Sequence, residues 1–394
     1  MQRKRNTAKR RVCALALLFT AAPVGPAGAS ERPFSAEIGG RLHLDFADFG
    51  NDDRGPPNRN ATEVRRAWLD VSGRLYSLRY KVEGDFSDSH DVVARDVFLS
   101  QRFGEAGTLT LGQFKQPFSL DDRTGSNYGS FLERGSAAGT LAPLYRLGAG
   151  WLAAARGATF AASAYSLQNI DVTAAKGYGL ASRLTWSTAA TERDVLHLGL
   201  SLASEYHDRP GAPGRPALKI RPRPAGHLSD NSRITLVDFS AGRDTRVHKW
   251  SLEYAAVHGP LSWQAEWSGA RLRDGLQHGQ AQAAYVLLSW FVSGQSRRYD
   301  AASGRFTRIG GIASKWGAVE LAARYDTMWG SQSLDDGPVL RSGRTEAFTL
   351  GANWYLRPNL RLMFNLIHSR NLDRLSGTTL DRTRALTGRL QYDF

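Results

Sequence analysis

The feature that most constrains this chain is a period-two alternation of apolar and polar residues that recurs along almost its whole length. At 195–206, Leu196, Leu198, Leu200 and Leu202 fall on one face, and His197, Gly199, Ser201, Ala203 and Glu205 on the other. At 261–269, Leu261, Trp263, Ala265 and Trp267 oppose Ser262, Gln264, Glu266 and Ser268. At 317–326, Val319, Leu321, Ala323 and Tyr325 oppose Glu320, Ala322, Arg324 and Asp326. Such alternation marks strands whose two faces meet different surroundings. About sixteen segments qualify: 35–47, 63–75, 78–87, 93–103, 108–114, 145–155, 158–168, 178–187, 195–206, 246–257, 261–271, 281–293, 316–326, 345–356, 360–370 and 382–394. Segments 93–103, 145–155 and 158–168 alternate least, and a further candidate at 233–240 falls in a loop.

About ten residues is the length a tilted strand needs to cross a bilayer. No stretch beyond the N-terminus has 18 consecutive apolar residues, which excludes a helical membrane protein. A single Cys cannot form an internal disulfide, and 40 Gly with 10 Trp do not describe a disordered tail. A soluble sandwich or propeller alternates too, but rarely runs to sixteen segments without a repeat period or a second domain. Trp and Tyr also sit near segment ends, as interfacial girdles do. The pattern predicts an all-β fold, a closed antiparallel transmembrane β-barrel of about sixteen strands. Closure is required because an open edge in lipid leaves unpaired backbone groups at several kcal/mol each.

The connections agree with a barrel. Links after even-numbered segments are mostly tight, as at Tyr76-Ser77, Gly104 to Gly107, Arg156-Gly157, His258 to Pro260 and Arg357 to Asn359. Links after odd-numbered segments are mostly long: 48–62, 115–144, 207–245, 327–344 and 371–381. Short periplasmic turns and long extracellular loops give this asymmetry. The long even link 294–315 and the short odd link 88–92 depart from it.

Residues 1–11 carry six basic side chains and no acid, an apolar run spans Val12 to Ala22, and Ala27-Gly28-Ala29 follows. This is the layout of a secretory signal peptide, predicted to be cut after Ala29 and to leave a barrel domain over 30–394. The mature chain then has no Cys, and its net charge falls from +14 to +8. The expected location is the outer membrane of a Gram-negative cell.

Alternation also predicts the water-facing wall: Arg66, Arg74, Arg79, Lys81, Arg183, Lys249, Arg324, Arg361 and Arg389, together with Asp70, Glu83, Asp85, Glu253, Glu266, Glu320 and Asp326. A guanidinium fork binds two oxygens of an oxyanion at once, and a row of forks offers successive weak sites, as conduction requires. The alternative is a mixed lumen in which Arg–carboxylate pairs brace the barrel. The loop 207–232 carries Arg215, Lys219, Arg221 and Arg223 without a neighbouring acid. It either gathers anions at the mouth, touches anionic lipid, or is a solvated loop with no role.

Several stretches resemble the phosphate-selective porin O and P family. They are Arg65-Arg66-Ala67-Trp68-Leu69-Asp70-Val71-Ser72-Gly73, Tyr80-Lys81-Val82-Glu83-Gly84-Asp85-Phe86, and Gly112-Gln113-Phe114-Lys115-Gln116-Pro117-Phe118 continuing to Phe131-Leu132-Glu133-Arg134. Further matches are Glu253-Tyr254, Val257-His258-Gly259-Pro260-Leu261, Leu350-Gly351-Ala352-Asn353-Trp354-Tyr355 and the closing Gln391-Tyr392-Asp393-Phe394. The family's usual Thr-Gly-Glu is here Ser293-Gly294-Gln295. The resemblance implies a porin for passive diffusion of small anions (phosphate, polyphosphate or chloride), a homotrimer in outer-membrane lipid. It also implies a third loop folded into the pore and recognition of Phe394 by the barrel-assembly machinery. The constriction loop 115–144 holds Lys115, Arg123 and Arg134 against Asp121, Asp122 and Glu133, so its local charge is about zero. A non-selective general-diffusion porin is the alternative.

No His-Glu-x-x-His, Cys pair, P-loop lysine motif or Gly-x-Ser-x-Gly elbow is present, so no cofactor, metal or catalytic residue is predicted. His43, His197 and His207 are expected on the lumen side as polar lining. A barrel hydrolase would need an outward His beside an outward Ser on a neighbouring strand, and the period places His368 on the lipid side. Export and the lack of a basic helix argue against nucleic-acid binding despite a pI near 10.1.

Overall fold

The structure, a computed structural model, describes residues 33–394 apart from 52–53, 55–56, 169, 171–175, 192, 230–232 and 313. The predicted signal segment 1–29 lies outside the described residues. Among the described residues twenty strands occur in chain order: β1 (Phe34–Asn51), β2 (Ala61–Leu75), β3 (Leu78–Asp85), β4 (Val93–Arg102), β5 (Thr108–Lys115), β6 (Tyr145–Ala155), β7 (Ala158–Ser166), β8 (Gly177–Thr191), β9 (Asp194–His207) and β10 (Lys219–Ile220). They continue as β11 (Val237–Asp238), β12 (Thr245–His258), β13 (Leu261–Arg273), β14 (Gln277–Phe291), β15 (Tyr299–Asp300), β16 (Arg305–Phe306), β17 (Ala318–Leu334), β18 (Val339–Arg357), β19 (Leu360–Asp373) and β20 (Thr379–Asp393). Sixteen of them form one closed antiparallel barrel, and each of the sixteen predicted segments coincides with one barrel strand. The pairs β10–β11 and β15–β16 are small separate hairpins. The candidate at 233–240 is therefore no wall strand; its Val237–Asp238 pairs with Lys219–Ile220.

β20 closes the barrel on β1, with Arg41 opposite Asp393 and Asn51 opposite Thr383. The seam ends on Gly40 and Phe394, which exchange backbone hydrogen bonds of 3.1 Å in both directions. A Cβ at Gly40 would lie 2.6 Å from Phe394 Cζ, so a side chain there would have to displace the terminal ring.

The lipid face is apolar as the alternation requires. Leu386, Leu390, Tyr392 and Phe394 point out from β20, and Trp263, Trp267 and Trp290 from β13 and β14. Thr387, Arg389, Gln391 and Asp393 point in and are buried. Where the sequence reading fails is strand length. The predicted loops 327–344 and 371–381 are tight turns at 335–338 and 374–378, because β17 to β20 run on beyond the predicted segments. Above the bilayer the outer face meets water and headgroups. Outward Ser331, Ser333, Arg344 and Glu346 are then polar like the inner face, and the period-two signal vanishes.

Candidate functional site

Three segments enter the barrel and decide what remains open. The first is 116–144, between β5 and β6. It turns inward at Ser119 (φ 56°) and leaves at Leu144 (φ 61°), two left-handed residues that are not glycine. It carries two short helices, α1 (Leu120–Arg123) and α2 (Ser136–Thr140). The first-turn N–H groups of a helix lack internal partners, and here the wall supplies them. Glu266 accepts from Leu120 N and Asp121 N at 3.1 and 2.7 Å, and Asp326 accepts from Ser136 N at 2.7 Å.

Glu133 is the main clamp of this segment. Arg65 donates to both its oxygens (2.9 and 3.0 Å), and Arg389 Nη2 donates to Oε1 at 2.9 Å. Arg389 also holds Asp45 through two 2.7 Å bonds and the Leu132 carbonyl at 2.6 Å. Burial pushes the Glu133 carboxyl up, but Arg65, Arg66 and Arg389 outweigh it and hold it well below the usual carboxylate range. The other predicted loop residues brace the loop itself. Lys115 pairs with buried Asp122 at 2.7 Å, Arg123 donates to the Lys115 carbonyl, Arg134 donates to the Asp121 and Thr124 carbonyls, and Asp121 accepts from Gly135 N.

Arg65 was not in the predicted lumen set, since strict alternation sends it outward. A β-bulge is the reason: His43 stands opposite Arg66 and Leu44 opposite Val64, so Arg65 is an extra residue and turns in beside Arg66. A second bulge, where Val82 faces Val97 and Gly84 faces Ala94, brings in Arg95 beside Asp96. The Arg65-Arg66 doublet is the one sequence signal that marks the first bulge.

The second inward segment is 292–317, the long even link that broke the turn pattern. It enters from the short-turn end and carries the β15–β16 hairpin. Arg183 Nη2 donates to the Gly304 carbonyl at 2.7 Å, and the Tyr299 hydroxyl meets His197 Nδ1 at 2.5 Å. Phe306 is buried with Leu120, Val195, Ala255 and Val257, so this turn packs directly on α1. Arg297 stacks on the Phe306 ring at 3.7 Å. Burial, then the nearby guanidiniums of Arg305 and Arg183, push Arg123 down to about 10.

The third segment is 208–244, which was open between anion gathering, lipid contact and no role. It folds over the mouth as a roof. Ile220, Leu236, Val237 and Phe239 pack on Val247, Ala270, Leu272, Ala281, Ala283 and Met328 of the inner wall. Ala225 reaches Ala47, Phe49, Ala347, Ile367 and Ala385, and His227 meets Glu63 at 2.9 Å. Of the four basic residues singled out there, Arg215 pairs with Asp208 and Lys219 with Asp238. Beneath the roof lies a narrow pocket lined by charges of both signs, among them Glu63, Glu133, Arg134, Arg223 and Arg324.

All nine predicted basic wall residues fall on the inner face, in three groups. Arg74 and Arg79 stand opposite each other at the short-turn rim, exposed and away from the inward loops. Lys81, Arg183, Lys249 and Arg389 are in ion pairs with Glu83, Glu253, Glu205 and Asp45. Arg66, Arg324 and Arg361 have no carboxylate ion pair among the described residues. Arg66 donates to His43 Nδ1, Arg324 to the Glu133 carbonyl, and Arg361 to the Gly129 carbonyl and the Tyr355 hydroxyl. Partial water access persists along β1 to β4, where the side chains of Arg41, Lys81 and Arg95 are 17, 22 and 29% exposed. Arg41, Arg95 and Arg66 surround the Trp68 ring at 4.5, 5.1 and 5.9 Å, within the range of cation–π attraction.

On the outer wall, Ser204 and His248 meet at 3.1 Å on β9 and β12. The imidazole has no second partner that would orient it as a general base, among the described residues. No group of three or more potential metal ligands occurs among them either.

Comparison with known proteins places these features. The family described as phosphate-selective porin O and P matches residues 36–394. Porin O of Pseudomonas aeruginosa is 26% identical, over 93% of this chain and 90% of that protein. Among solved structures, a loop L8 deletion mutant of OmpT, an outer membrane protein of Vibrio cholerae, superposes with a TM-score of 0.60 at 13% identity, covering 91% of this chain and 99% of that one. An anion-selective porin from Comamonas acidovorans gives 0.56 at 12% identity, with 91 and 99% covered. At such identities the two structures speak for the fold alone.

Proposed function

We infer the function from one premise: this chain belongs to the phosphate-selective porin O and P family and is an outer-membrane porin. The channel passes small anions by diffusion, with oxyanions such as phosphate the favoured cargo. The observation that carries this reading is Arg66, which has no carboxylate ion pair among the described residues and stands beside the partly hydrated Arg41–Arg95–Trp68 cluster, with Arg324 and Arg361 likewise lacking one elsewhere on the inner wall. The partly hydrated Arg41, Lys81 and Arg95 each share a carboxylate, Glu83 or Asp85, and the buried Arg66 beside them adds a cation without one among the described residues, so an anion leaving water meets an excess of forks that can replace its hydration. Arg123 and Arg134 act differently in this reading, since their hydrogen bonds are spent on the loop's own carbonyls. The working unit is a homotrimer, and the outward Phe394 is the mark read during barrel assembly.

A general-diffusion porin is the second reading, favoured by the four predicted lumen bases held in ion pairs. Single-channel recording in a planar bilayer under a KCl gradient separates the two. The anion reading expects a reversal potential toward chloride and a current reduced by added phosphate. A cation-leaning potential without block overturns it and leaves the general-diffusion reading.

A further inference from the structure

The outer wall carries a charge pattern that the channel does not use. On β12 and β13, Arg246 stands directly opposite Arg273, and two residues nearer the membrane His248 stands opposite Arg271. On β19 and β20 the same arrangement recurs, with Arg370 opposite Arg382 and His368 opposite Arg384. Alternation puts all eight on the outward face; Arg370 is half-buried and the other seven are exposed. Both quartets lie at the long-loop, extracellular end of the barrel. Both sit directly above the apolar band, over Trp250 and Trp267 in one case and Leu366 and Leu386 in the other.

Like charges directly opposite on neighbouring strands destabilise a sheet. Here the protein neutralises little of the repulsion. Arg246, Arg271, Arg370, Arg382 and Arg384 have no ion pair among the described residues. Arg273 has a long one, 3.7 Å to Asp335, which also takes His278, and Glu346 beside Arg370 is engaged at 2.7 Å by Arg344. Directly opposed residues have Cβ atoms about 5 Å apart, so two guanidiniums can close on one tetrahedral oxyanion from both sides.

We propose that each quartet seats the phosphorylated headgroup of an outer-leaflet glycolipid, whose acyl chains lie along the apolar band below. The position selects this occupant over free phosphate. The forks stand at headgroup height, on the wall facing away from the lumen, with lipid-facing Trp250, Leu366 and Leu386 at their base. The proposal rests on the orientation of the barrel and not on the anion selectivity of the pore.

The test uses the full-length purified porin and native mass spectrometry with a bis-phosphorylated, acylated glucosamine disaccharide as probe. The wild-type chain is expected to bind two. The double variant R246Q/R273Q should weaken one site about tenfold, R382Q/R384Q the other, and the quadruple variant both. Unchanged single-channel conductance in each double variant reports an intact barrel, so the proposal stays testable if the quadruple variant fails to assemble. Undiminished occupancy in the double variants overturns it, as does equal binding of the disaccharide without its phosphates. Full competition by millimolar inorganic phosphate would assign the quartets to a bare anion. Variants that separate subunits while keeping the glycolipid would assign them to subunit contacts.

Discussion

Arginine does opposite things on the two faces of this barrel. Inside, Arg389 is nearly excluded from water and spends its fork on Asp45, Glu133 and a loop carbonyl. Outside, Arg382 and Arg384 are exposed, opposite another arginine and a histidine, with no ion pair among the described residues. The inner face is a folded interior in which a charge must bring its own counter-charge. The outer rim is an interface at which the lipid supplies it. Residue type and strand position alone do not separate these cases; the neighbour across the ladder does.

The sharpest way to break the contrast is to remove an inner fork. Arg389→Ala leaves buried Asp45 without its guanidinium partner and Glu133 with Arg65 alone, a loss of about 3–5 kcal/mol. Thermal unfolding in detergent should show a large drop, and the freed loop should raise single-channel conductance. An unaltered melting temperature would mean that the clamp holds nothing. Next in size is the turn 292–317. Replacing 298–308 by a short glycine linker removes Phe306 from Leu120 and the Gly304 carbonyl from Arg183, so conductance should rise while the barrel persists. An unchanged conductance would place that turn off the ion path.

A third test divides the inner face itself. Arg66→Gln and Arg361→Gln remove cations that lack a carboxylate ion pair, and should move the reversal potential away from chloride with a modest stability loss. Lys249→Gln leaves buried Glu205 with Tyr165 and His207 but without its lysine and should cost more stability. Equal stability losses would dissolve the distinction between bracing and conducting bases.

Acid gives a smaller effect with a defined sign. The Glu133 carboxyl is held below its unfolded value, so its contribution is complete above about pH 4.3 and is lost only as pH falls through the lowered folded value. The loop clamp should therefore survive ordinary carboxylate titration. Conductance followed downward from pH 7 should change only well below pH 4, and Glu133→Gln should abolish that late transition. The smallest effect lies outside: in lipid-free detergent Arg382→Gln should slightly stabilise the barrel by relieving its repulsion with Arg370, the reverse of any inner substitution.

Much of this was legible without coordinates. Sixteen strands, the inner and outer faces of β20, and the inward position of all nine predicted bases follow from a period of two, because a bilayer outside and water inside impose opposite demands on successive residues. The pattern was silent where that contrast ends. Above the membrane the outward positions of β17 and β18 turn polar, at Ser331, Ser333, Arg344 and Glu346, so 327–344 read as a loop.

The sequence by itself determined the barrel and, away from the bulges, which side chains of each strand turn inward. Only the tertiary structure decided how much of that water-filled space stays open. Arg65 turns inward because one extra residue in β2 shifts the register. Tyr299 and Phe306 enter the lumen because His197, Arg183 and Leu120, distant in the chain, complete their contacts. Local alternation encodes which solvent a residue faces. Pairing across the lumen joins residues from 68 to more than 100 positions apart, and no local pattern carries it.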